Sequence, residues 1–84
     1  MVIIASIKNE RGKKETFKGE SLSKAAMNLQ KNYTLDGQTF SLSLGVKRSW
    51  LTKPILVYEK ISIKKANLID AIEFMVSSHK KNFD

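Results

Sequence analysis

The segment Gly45 to Lys53 sets the only tryptophan, Trp50, among three cations: Lys47, Arg48 and Lys53. Cations attract phosphate and an aromatic face stacks on an unpaired base, so this spacing carries the ingredients of single-strand nucleic-acid binding. The opposing reading folds Trp50 back over the core and leaves the cations in water. A second basic cluster, Arg11, Lys13 and Lys14, sits at a turn, with Lys8 and Lys18 on the flanking stretches. It is read as a secondary nucleic-acid contact, although lysines there also serve to block edge-to-edge strand pairing.

Both clusters belong to a chain of 84 residues with 15 Lys and Arg against 8 Asp and Glu, a net charge of +7. Thirteen of the cations are lysine. Lysine is a mobile point charge, better suited to phosphate attraction than to bidentate reading of a base edge. The expected partner is therefore polyanionic. It is either DNA or RNA bound with weak sequence preference, or the acidic surface of a larger protein.

Catalysis finds little to work with. His79 is the sole histidine and falls beside an apolar helical arc near a helix end. No cysteine, second histidine or carboxylate pair stands ready to join it as metal ligand or nucleophile. The glycines at 12, 19, 37 and 45 are dispersed turn residues rather than a phosphate-cradling loop. No catalytic residue, metal site or cofactor is predicted, and the protein is read as no enzyme. Without cysteine there is no disulfide framework, which suits a reducing compartment. The stretch Met1 to Ile7 is too short and interrupted for a signal peptide, and no apolar run approaches membrane-spanning length. A soluble cytoplasmic protein with no membrane contact is the expectation.

The elements that position these residues follow from periodicity. Val2, Ile3, Ile4 and Ile7 predict a strand over 2–8, and Asn9-Glu10-Arg11-Gly12 a turn whose glycine takes positive φ. A second strand over about 13–18 then closes a hairpin. Ser21 is the predicted N-cap of a helix carrying Leu22, Ala25, Ala26, Leu29 and Tyr33 on one stripe. Phe40, Leu42, Leu44 and Val46 alternate strictly with Thr39, Ser41, Ser43 and Gly45, the mark of a half-buried strand. After a loop from Gly45 to Lys53, the run from Ile55 to about Ile61 or Ile63 predicts a fourth strand. Its faces are read with Leu56, Tyr58 and Lys60 outward and Glu59 inward unless a bulge intervenes. A last helix carries Leu68, Ile69, Ala71, Ile72, Met75 and Val76, starting at a Ser62 cap or later at Asn67 with Asp70 behind it.

The whole chain, residues 1–84, thus reads as one small basic α+β domain: a four-stranded sheet in ββαββα order, two hairpin-plus-helix units, with both helices packed on one face. The second strand, first helix and third strand form a crossover, so strands two and three run parallel if adjacent. The other sheet face stays open. A continuous basic surface would run along it through Lys8 and Lys60.

Two functions fit. The first is a non-enzymatic nucleic-acid-binding protein that engages the phosphate backbone through its lysines, with Lys47, Arg48 and Lys53 on phosphate and Trp50 on a base. The second is a small regulator or inhibitor of the kind phages and mobile elements encode, binding a host protein. Off-stripe Phe74 and Met27 would then face the partner. A homodimer hiding an extra sheet edge stays open under either.

Overall fold

A computed structural model describes residues 1–50 and 53–83. Strands β1 (Val2–Asn9), β2 (Lys14–Gly19), β3 (Thr39–Lys47) and β4 (Ile55–Lys64) form one sheet. Helix α1 (Leu22–Asn32) follows β2, and α2 (Leu68–Phe83) follows β4 through a short 3-10 turn, Lys65–Asn67. The ββαββα order read from periodicity is the observed one.

The strand order is β2-β1-β3-β4, with every neighbouring pair antiparallel. Strands β2 and β3 do run parallel, as the crossover requires, but β1 lies between them. Burial agrees with this order: the central strands β1 and β3 each bury one parity fully, whereas β2 alternates half-buried and exposed residues and β4 is largely exposed, as edge strands are.

One parity of β1 (Ile3, Ala5, Ile7) and one of β3 (Phe40, Leu42, Leu44, Val46) join a single core with Leu22, Ala25 and Leu29 of α1 and Leu68, Ile72 and Met75 of α2. Both helices therefore pack on the same sheet face. Each fully buried aliphatic side chain there contributes about 1.5–3 kcal/mol of hydrophobic stabilisation.

Local chemistry fixes the connections. Ser21 adopts extended geometry and its hydroxyl accepts the Lys24 amide at 3.2 Å, the predicted N-cap. Gly12 takes φ +89° in the first hairpin turn, which an L side chain rarely adopts. Gly19 is needed for a different reason: a Cβ there would lie 2.6 Å from the Ala25 amide nitrogen, so only glycine lets α1 start this close to β2. Asn9, buried, ties the hairpin to the α1–β3 connection. Its Oδ1 accepts from the amides of Arg11 (3.1 Å) and Lys13 (2.9 Å), and its Nδ2 donates to the Asp36 carbonyl at 2.9 Å.

Three expectations change. The loop before β4 is shorter than read, because β3 continues through Lys47. The later start of α2 is the observed one, since β4 extends to Lys64 and takes up Ser62. Two register shifts against β3 reset the faces of β4. Tyr58 lies opposite Leu44 and packs against the core, Glu59 lies opposite Ser43 on the open face, and Lys60 lies opposite Leu42, off that face. Ser62, at φ +60°, sits in the shift between Phe40 and Leu42. An extra residue in one strand inverts the parity beyond it, and simple alternation cannot anticipate it.

Candidate functional site

The sheet face away from the helices is built from the second parity of each strand. Strand β2 contributes Lys14, Thr16 and Lys18; β1 contributes Ile4, Ser6 and Lys8; β3 contributes Ser41, Ser43, Gly45 and Lys47. Small hydroxyl residues occupy the middle and lysines the margins. Ser6 stands between Thr16 on one side and Ser43 on the other, and its Oγ donates to Thr16 Oγ1 at 3.4 Å. Thr16 is exposed, and a hydroxyl can both donate and accept, so it has capacity for a further partner. Ile4 and Ser6 are buried although no described helix covers them. Both line a groove whose other walls include lysine side chains, Pro54 and Leu56.

This face is hollowed rather than flat. An open groove of about 550 Å³ lies over Gly45, with Lys14 and Lys18 on its β2 bank and Lys47, Lys53 and Pro54 on the other. Toward the first hairpin tip a second depression continues it, sharing Ser6, Lys14 and Ser43 and adding Lys8. Toward the other end, Lys18 and Lys47 also wall a hollow lined by Met1, Val2, Arg48 and Trp50. Three depressions thus follow one another along β1.

Trp50 is 83% exposed, so it does not cap the core. Of the four residues proposed in its loop, Lys47 and Lys53 border the central groove, while Arg48 and Trp50 form its end. Leu51 and Thr52 of the same loop lie outside the described residues. The first-hairpin cluster divides. Lys14 joins the open face, Lys13 is exposed at the tip, and Arg11 reaches across to Asp36 at 3.4 Å. The route proposed through Lys60 is corrected by the β4 register. Lys18 and Lys53 take its place, and the alternation Lys14-Thr16-Lys18 against Glu15-Phe17 was the sequence signal for half of that set.

Acidic groups are drawn elsewhere. The Glu10 carboxylate accepts the Gln38 amide at 2.8 Å, and Glu15 accepts the Thr34 amide at 3.0 Å and its hydroxyl. Glu20 pairs with Lys24, and Asp36 with Arg11. Glu59 is the one acid lining the depressions described above. Cations outnumber this single acid along the face, the condition for steering a polyanion.

Two apolar features lie off this face. Met27 lines a shallow groove between the helices with Ile72 and Val76, but Phe74, also exposed, does not border that groove. The structure therefore does not bring the two together. Edge strand β4 exposes Ile55, Leu56, Val57 and Ile61, a cluster sequence alternation had assigned partly to the core. His79 packs its ring edge-on to Tyr58 at 5.2 Å between centroids, with Nδ1 3.0 Å from the Met75 carbonyl. Among the described residues no group of three His, Cys, Asp or Glu stands close enough to hold a metal, and no helix is long and apolar enough to cross a membrane.

Comparison of the chain with protein-family models, with curated protein sequences and with solved structures gave no match.

Proposed function

We propose that this is a nucleic-acid-binding protein without a catalytic step of its own, acting in the cytoplasm and engaging the phosphate backbone through the lysine-bordered sheet face. The observation that carries the reading is the convergence of Lys8 of β1, Lys14 and Lys18 of β2, Lys47 of β3 and Lys53 of the loop before β4 around a floor that includes the Ser6, Ser43 and Thr16 hydroxyls. Lysines release counterions from phosphate, hydroxyls donate to phosphate oxygens, and a mobile lysine lacks the rigid fork that best reads a base edge. Binding is therefore tolerant of sequence and steeply dependent on salt. Arg48 and Trp50 extend the surface at one end, and Lys13 flanks the other.

Titration of single-stranded and duplex DNA and RNA across a salt series, followed by anisotropy and by Trp50 fluorescence, tests it. Affinity that falls linearly on a log–log plot with a slope of about −3 to −5, one unit per neutralised phosphate, supports the reading. No binding at low salt overturns it.

A second reading rests on β4. Four exposed aliphatic residues on an edge strand favour a protein partner docked by strand addition, as a regulator binding a host protein would be. A second copy of this chain is the simplest such partner. Sedimentation over a concentration series distinguishes the copy from a foreign partner, and Ile61→Lys should abolish either complex.

A further inference from the structure

The three depressions on the open face share walls. Ser6, Lys14 and Ser43 join the first to the second, and Lys18 and Lys47 join the second to the third, which ends at Trp50. Together they form one track parallel to β1, whose eight residues extend about 25 Å at the rise of a strand. Along it the cations stand on both banks. Lys14 and Lys18 are four residues apart on one strand, about 13 Å, with Lys47 and Lys53 opposite. Between them the floor carries Ser6 and Ser43, the aliphatic Ile4 beside Gly45, and at Gly45 itself no side chain at all.

Resting on the nucleic-acid reading above, we propose that this track seats one phosphodiester strand, laid along β1 with its backbone over Gly45 and one base stacked on Trp50 at the end. A duplex fits the same surface poorly. Reading a duplex in its major groove, about 12 Å wide, takes a projecting helix or ribbon, whereas these lysines surround a depression. A duplex lying over it meets only the rims. A single strand descends between the banks, where lysines reach it from two sides and the Thr16 and Ser43 hydroxyls from below. Its unpaired base also has a free face for Trp50, which a base within a duplex lacks.

Gly45 supplies a test that leaves the charge unchanged. Its φ is not in the left-handed region, and a Cβ built on it meets its nearest atom, the Ile55 carbonyl oxygen, at 3.5 Å, an ordinary contact. Gly45→Leu therefore plugs the floor of the track while all cations remain. Ser43→Leu does the same from the neighbouring position on that face and serves if the first variant fails to fold, with circular dichroism as the check.

Affinity for oligo(dT) of about 15 nucleotides should fall about tenfold or more in the plugged variants, as the loss of one to two phosphate contacts requires. A duplex of equal length should bind more weakly than oligo(dT) to the parent protein and respond little to the plug. Plugged variants that bind oligo(dT) as the parent does overturn the track while leaving the nucleic-acid reading intact. Duplex binding as tight as single-strand binding also overturns it. A parent protein that binds neither, or that binds polyglutamate as tightly as oligo(dT), overturns the reading beneath it.

Discussion

Lys8 of β1 and Lys14 of β2 are direct cross-strand partners on the uncovered sheet face. Like charges in that relationship oppose folding by a few tenths to about 1 kcal/mol. No acid on their two strands intervenes, since Glu15 turns to the other parity and holds Thr34; Glu59 of β4 is the one acid in the depression they line. Under the proposed function, a phosphate bound between the two ammonium groups would relieve the repulsion.

Lys14→Gln should accordingly stabilise the free protein by about 0.3–0.5 kcal/mol and weaken nucleic-acid binding, with the salt slope reduced by about one unit. Urea denaturation and anisotropy, run on the same preparation, check both signs. Loss of stability together with unchanged binding would show that the pair has no ligand role.

Ser62 carries φ +60° within a register shift of β4. Valine is the stronger strand former, yet Ser62→Val should destabilise the fold by about 1–2 kcal/mol, because a branched side chain is strained in that region. Ser62→Gly should cost less than half as much or add stability. Chemical denaturation of the two variants settles the order, and a valine variant as stable as the parent would contradict it.

Gly19→Ala should cost about 1–3 kcal/mol, because the added methyl meets the backbone of Ala25 rather than a movable side chain. Its counterpart Gly45→Ala meets only ordinary contacts and should leave the midpoint nearly unchanged. Thermal melts of both compare the two glycines directly.

Asn9→Ala removes the acceptor for two turn amides and the donor to the Asp36 carbonyl. A loss of about 2–4 kcal/mol follows from leaving buried polar groups unmet. Hydrogen exchange at the Arg11 and Lys13 amides should accelerate in step with that loss, and protection equal to the parent's would contradict the assignment.

Alternation and capping made most of this fold legible. Phe40-Leu42-Leu44-Val46 announced a strand with one wet face, and Ser21 announced the start of α1. The same alternation failed at β4. Inserted residues near Val57 and Ser62 invert the parity, so Tyr58 turned inward and Glu59 outward with no mark in composition. Strand order was equally hidden, because alternation within a strand does not say which strand lies beside it. For the site, Lys47, Trp50 and Lys53 were visible as neighbours in sequence. Their meeting with Lys14 and Lys18 was not, because it depends on β1 lying between β2 and β3.

Under the proposed function, binding belongs to one face rather than to overall charge. Two triple variants isolate it, Lys14/Lys18/Lys47→Gln on the track and Lys31/Lys80/Lys81→Gln on the helical side, each lowering the net charge of +7 by three. Measured by anisotropy on one labelled single strand at one salt concentration, the track triplet should lose about 100-fold or more in affinity and the helical triplet less than about threefold. Equal losses from the two triplets would show diffuse attraction and contradict the assignment of the face.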